Sequence, residues 1–228
     1  MARAPQKVTR PAATSIGAAN IGTYTNDVTS FMVNAAAILS RLDPAGTSSI
    51  VVRPGVEIAS TGDLALASDW NLYSASRAGG QPGVLTLRAT SNLNLSKNLS
   101  DGFELASPGS NSDPKFNNLR PGESWSYRLI GGADQSAADP LRVTPLMKTG
   151  STGDVVLASK AVVRTTTGNI EIAAGRDFKL TDSTAVIYTA GLPVEVVNGQ
   201  TADGFAVRTQ APYGQISSTA INGTFYGA

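Results

Sequence analysis

The chain has 228 residues, a formal net charge of +1 and charged side chains at 15% of positions, against about 25% in ordinary soluble domains. It contains no cysteine and no histidine, which excludes disulfides, thiolate metal sites and every Ser-His or Cys-His catalytic arrangement. Near-neutral charge gives no field to gather nucleic acid or an anionic membrane, while hydrophobic residues at 41% are enough for a sizeable core.

In chain order, residues 1–25 read as a flexible lead rich in Ala, Thr, Pro and Gly. The lead is basic but lacks the apolar stretch of ~7–15 residues that a signal peptide requires. No run approaches the ~18–20 apolar residues of a membrane span. From Asp27 the period changes. Val28, Phe31, Met32, Ala35, Ile38, Leu39 and Leu42 fall at i, i+3, i+4, i+7 spacing, which predicts one short amphipathic helix over 27–42. Asn26 or Asp27 would cap it and "DPAG" (43–46) would stop it. Phe31, Met32, Ile38 and Leu39 would then cover the end of whatever the following residues, about 49–73, build.

After Ser48 the period falls to two. Expected strands are "SIVV" (49–52), "VEIAS" (56–60), "DLALAS" (63–68), "WNLYS" (70–74), "VLTLRA" (84–89) and "NLNLS" (92–96). Further along come "WSYRLI" (125–130), "DVVLAS" (154–159), "AVVRT" (161–165), "NIEIAA" (169–174), "DFKLT" (177–181) and "AVIYT" (185–189). Between them, residues 101–124 break the rhythm and read as an exposed polar loop. Asn-Gly and Asp-Gly pairs, which favour hairpins, occur only outside the dense runs. Inside them Gly precedes Asp or Asn, as in "TGDLALAS" (61–68), "TGDVVLAS" (152–159) and "TGNIEIAA" (167–174). Strands that bend at small polar corners and continue in one rotational sense stack as a β-solenoid, with apolar ladders inside. Ile170 and Ile172 are then inward and Glu171 outward.

The phrases "RPGVEIASTGDLALASDWNL" (53–72), "GQPGVLTLRATSNLNLSKNLSDGF" (80–103), "WSYRLIGGADQSAADPL" (125–141) and "GSTGDVVLASKAVVRTTTGNIEIAAGRDFKLTDSTAVIYTAG" (150–191) carry a family likeness. Over roughly 27–208 the chain resembles the filamentous-haemagglutinin-type large exoproteins, surface adhesins of Gram-negative bacteria. The resemblance implies a right-handed parallel β-helix shaft and two-partner secretion through an outer-membrane partner. It also implies a secreted or cell-surface location and adhesion to a host or bacterial surface receptor; such proteins are also labelled for haem utilisation. The Asn-Pro-Asn-Leu-type motifs of the family's secretion domain and the Val-Glu-Asn-Asn motif that precedes its toxin domains are absent. The expected fold is therefore all-β, a right-handed parallel β-helix over 26–208 with one short amphipathic helix, forming a shaft fragment without its secretion domain. Residues 209–228 read as an irregular or truncated tail.

Few residues invite chemistry. Asp63, Asp154 and Asp177 each begin a strand phrase, where Asp serves as a backbone acceptor two residues on, and a turn role is preferred over catalysis or Ca²⁺ ligation. The Gly-Gly-x-Gly-x-Asp calcium repeat is absent. Trp70, Trp125 and Tyr188 could stack on sugars, but their apolar neighbours favour packing roles. Asn94 and Asn98 lie in sequons, read as chance in an Asn/Ser-rich run. The expectation is a structural and adhesive segment with no catalytic, cofactor or metal residues and no enzyme activity. The alternatives are a carbohydrate-active β-helix enzyme and the stalk of a contact-dependent inhibition toxin.

Overall fold

The computed structural model describes residues 6–10, 14–75, 81–104, 118–119, 122–145 and 150–191. The chain enters on strands β1 (Gln6–Arg10) and β2 (Thr14–Ile16), followed by helices α1 (Ala18–Val33) and α2 (Ala35–Leu42). Next come β3 (Gly55–Ser60), β4 (Leu64–Leu66), β5 (Trp70–Asn71) and the single turn α3 (Leu72–Ala75). The following round is β6 (Val84–Ala89), β7 (Leu93–Leu95) and β8 (Leu99–Ser100). An antiparallel pair, β9 (Phe103–Glu104) and β10 (Asn118–Leu119), interrupts it. Then follow β11 (Ser126–Gly131), β12 (Val155–Leu157), β13 (Val162–Thr165), β14 (Ile170–Ala174), β15 (Phe178–Leu180) and β16 (Val186–Thr189).

These strands make three parallel sheets. The first is β1-β3-β6-β11-β14, the second β15-β12-β7-β4-β2 and the third β16-β13-β8-β5. The chain visits first, second and third sheet in rotation, so each strand pairs with the strand one round earlier and one round later. That order is compatible with a β-solenoid. Inward positions align as ladders: Ile58–Leu87–Leu129–Ile172 in the first sheet, Leu66–Leu95–Leu157–Leu180 in the second, Trp70–Leu99–Val163–Ile187 in the third. The middle rounds of these ladders are buried, and Ile172 and Ile187 pack half-buried against them. In the last described round Phe178 and Leu180 are 44% and 49% exposed, with β15 at the edge of its sheet among the described residues.

The corners explain the glycines. A Cβ at Gly83 would lie 2.1 Å from the Pro54 carbonyl oxygen, and one at Gly168 would lie 1.9 Å from that of Trp125. Each glycine sits just before a first-sheet strand and rests directly on the backbone of the preceding round. Around Gly168 the Ser124 hydroxyl accepts N–H bonds from Thr166, Thr167 and Gly168 at 3.2, 2.9 and 2.7 Å.

Several expectations need correction. The lead is not featureless: Gln6–Arg10 pairs in parallel with Val56–Ser60, and Thr14–Ile16 with Leu64–Leu66. Strands this short show no periodicity alone and form because a prepared edge accepts them. The single helix over 27–42 is two helices, and the first begins at Ala18. Its first half, with Asn20, Gly22, Thr23 and Thr25, has weak propensity; Thr23, Thr25 and, in the second half, Thr29 donate to carbonyls four residues earlier. Its inner face buries Tyr24, Val28 and Met32, with Tyr24 stacked on Trp70 at 5.9 Å between centroids. Phe31, Ile38 and Leu39 pack against the same core, as a cover over the first rounds requires. Residues 49–52 form no strand, and "WNLYS" turns helical after Asn71. The loop at 101–124 is not wholly exposed: Asp101, Phe103 and Ser124 are buried, and Asp101 Oδ2 accepts the Trp125 N–H at 2.6 Å. The expected stretch 192–208 and the tail 209–228 lie outside the described residues.

Leu87→Ala, at the centre of a buried ladder, should cost about 2–5 kcal/mol. Glu171→Ala removes only a partly exposed pair with Arg128 (2.7 Å) and should cost under about 1 kcal/mol. Urea unfolding of both variants checks this, and equal losses would mean that the inward and outward rows are exchanged.

Candidate functional site

The structure brings Asp63, Asp154 and Asp177 into one column. They precede β4, β12 and β15, and Asn92, which precedes β7, fills the round between Asp63 and Asp154; the registers Leu64↔Leu93↔Val155↔Phe178 align all four. The side chains of Asp63, Asn92 and Asp154 accept from the next round rather than from their own turn, whereas Asp177 faces Arg176 and Lys179 of its own round. Asp63 Oδ1 takes the Asn92 N–H at 2.8 Å, and Asn92 Oδ1 takes those of Gly153 and Asp154 at 3.1 and 3.0 Å. Asp154 Oδ1 takes the Asp177 N–H at 3.2 Å. Backbone bonds run the other way, from Leu64, Leu93 and Val155 to the carbonyls of Asn92, Asp154 and Asp177.

At the open end this column gathers charge. Asp154, whose side chain is 6% exposed, accepts Arg176 Nε at 2.6 Å on Oδ1 and Lys179 Nζ at 2.6 Å on Oδ2, where Arg176 Nη2 also donates. Asp177 adds contacts to Lys179 at 3.3 Å and to Arg176 at 3.6 Å. The Arg176 bond holds the Asp154 carboxyl well below the usual carboxylate range, against a desolvation that pushes the other way. Bonding to Asp154 in turn raises Arg176 and Lys179. A carboxylate saturated in this way has no proton to give at neutral pH and no free lone pair to act as a base.

The next corner repeats the device. Asp69 Oδ1 accepts the Asn98 N–H and Asn98 Oδ1 accepts the Val162 N–H, both at 2.9 Å. Further along, the Thr184 hydroxyl accepts the Lys160 N–H at 2.8 Å. Bonds from Ser159 and Thr184 lower Asp182 to about 2. The two sequons therefore differ: Asn98 is consumed by the corner, whereas Asn94 sits on the half-exposed outward position of β7. Trp70 and Trp125 are both core residues, at most 1% exposed, and cannot offer a ring face to a sugar. Tyr188 is outward on β16, where its hydroxyl accepts Arg164 Nη1 at 3.2 Å and its ring meets Phe103 edge-on at 6.0 Å.

Sequence reasoning missed a second place. Residues 132–145 leave the first sheet after β11 and fold back over its outer face. Backbone bonds from Gly132 to Ser91 O (2.7 Å) and from Ala133 to Ala89 O (2.8 Å) start the cover, and an Asp134–Arg142 bond (2.9 Å) closes it. Arg88, 3% exposed, fastens it by donating to Asp134 O at 2.6 Å and to Glu57 Oε1 at 3.0 Å. Between cover and sheet lies a cleft of about 260 Å³, lined by Glu57, Val84, Thr86, Arg88 and Arg128 below and Ala137, Ala138 and Pro140 above. The usable signal was the outward polar row Glu57–Thr86–Arg128–Glu171, which can be read only once the register is known.

Among the described residues no group of three or more acidic side chains is placed to hold a metal ion, and no helix is long and apolar enough to cross a membrane. No protein family, curated protein or solved structure matches this chain.

The lowered pKa of Asp154 sets a sign. Its stabilisation is complete above the unfolded carboxyl value of about 4 and is lost as pH falls through the lower folded value. Asp154→Asn should cost about 1–3 kcal/mol at neutral pH, discounted because Arg176 and Lys179 are partly exposed. Unfolding curves should show the gap to the parent protein narrowing below about pH 4. A gap that stays constant on acidification would mean that the charge is not used.

Proposed function

We propose that this chain is a section of a right-handed parallel β-helix shaft from a filamentous-haemagglutinin-type exoprotein, secreted to the cell surface. Its work is mechanical and adhesive: it holds a stiff column and presents its outer faces to a surface receptor. The single observation that supports this reading best is the rotation of the chain through three parallel sheets, with corner side chains bonding round to round. A column built that way resists bending because every round shares its backbone bonds with two others. The phrases that resemble the adhesin family supply the rest of the reading. Two tests apply. Joined to a family secretion domain and co-expressed with an outer-membrane partner, the chain should reach the cell surface and bind target cells. Retention inside the cell, or display without binding, would remove the secretion or the adhesion part respectively.

A second reading has one observation in its favour. Asp63, Asp154 and Asp177 share a column, as a carbohydrate-active β-helix enzyme would want its acids to do. Their hydrogen bonds to backbone and to Arg176 and Lys179 weigh against it. The purified chain should therefore leave polyuronates, glycosaminoglycans and simple glycosides intact. Turnover that vanishes in Asp154→Asn or Asp177→Asn would reverse the preference.

A further inference from the structure

We propose that the cleft between the first sheet and the 132–145 cover binds one neutral polyhydroxylated ring, a single pyranose unit. This goes beyond the shaft reading and does not rest on it, since the cleft is defined by local geometry alone.

The floor of the cleft is polar and fixed. Glu57, Thr86 and Arg128 are consecutive in register on β3, β6 and β11, so their side chains are spaced at roughly 4.7–4.9 Å intervals on one sheet face. That spacing is close to the separation of equatorial oxygens on alternate carbons of a pyranose ring. Each of these charges already has an opposite partner: Glu57 pairs with Arg88 at 3.0 Å and Arg128 pairs with Glu171 at 2.7 Å. A net ionic ligand would thus bring an uncompensated charge into the site. A hydroxyl brings none, and it can donate to a carboxylate while accepting from a guanidinium.

Donors remain to meet it. Among the described residues Arg128 is bonded through Nε alone, to Glu171 Oε2, which leaves both terminal guanidinium nitrogens available beside the cleft that it lines. The Thr86 hydroxyl adds a group that both donates and accepts. The opposite wall, Ala137, Ala138 and Pro140 with Val84 at the edge, is saturated hydrocarbon that suits the C–H face of a pyranose. The size is also selective: about 260 Å³ falls below the ~300–1,000 Å³ of pockets for larger organic ligands. The site is built in advance, because Arg88 and the backbone bonds of Gly132 and Ala133 hold the cover without a ligand.

The test is saturation-transfer NMR on the whole 228-residue chain with methyl glucoside, galactoside and mannoside, and with glucuronate as an anionic comparison. At least one neutral pyranoside should receive saturation. Arg128→Met and Ala138→Trp, which remove the donor and fill the cleft, should each lower its affinity at least tenfold. Thermal melts should stay those of the parent chain, and Thr86→Val replaces Arg128→Met if that variant melts early. Binding of glucuronate alone would overturn the proposal. So would silence from every pyranoside, or undiminished binding in the folded variants.

Discussion

Everything else in this protein depends on the corner bond between one round and the next. Parallel strands of two to six residues carry little register information of their own, and a slip of one residue would turn every inward Leu and Val to solvent. The column Asp63–Asn92–Asp154–Asp177 prevents the slip: the side-chain oxygens of Asp63, Asn92 and Asp154 find the backbone N–H groups of the next round only in the aligned position. The same bonds remove a cost, because corner N–H groups pointing along the axis would otherwise lack partners. Short polar residues at the corners and branched apolar residues in the strands are two halves of one requirement.

Where a round is interrupted, the added segment is fastened to an outer face by an arginine. Arg88 ties the 132–145 cover to the first sheet. On the third sheet Arg164, fully buried, donates to Ser100 Oγ at 3.0 Å and lies 3.9 Å from the Phe103 ring centroid. A planar guanidinium with several donors can bond to a side chain, a carbonyl and an aromatic face together, which a lysine could not do. Both arginines occupy outward strand positions that would be solvated in an unbroken column. Arg88 can be buried because the cover brings the Asp134 carbonyl to it, whereas Arg164 finds its acceptors on neighbouring strands, at Ser100 and Tyr188, beneath the Phe103 ring.

The two ends of the described column are unlike. At the start, α1 and α2 lay an apolar face over the first rounds, with Tyr24 taking the place against Trp70 that a third-sheet strand would take one round earlier. At the other end Phe178 and Leu180 stand half exposed. The ion network of Asp154, Asp177, Arg176 and Lys179 borders that edge, where charged groups discourage indiscriminate strand addition.

The sequence by itself determined the period-two strands, the small polar corners and the parallel stacking they lead to. "NIEIAA" alternates because one face is dry and the other wet, and "TGD" at 152–154 marks a corner because Gly153 takes a φ of +109° while Asp154 accepts N–H bonds. It also foretold a helical cover, since Phe31, Met32, Ile38 and Leu39 repeat at helical spacing. Only the tertiary structure decided that Gln6–Arg10 is a strand, because that segment pairs with an edge built some fifty residues later. Tertiary structure likewise extended the helix back to Ala18, where weak propensity is outweighed by the burial of Tyr24 and Val28. The column of corner acids, the burial of Arg88 and the cleft beside Thr86 and Arg128 follow from register. Register is a relation between residues about 23 and more positions apart, and no local pattern of side chains encodes it.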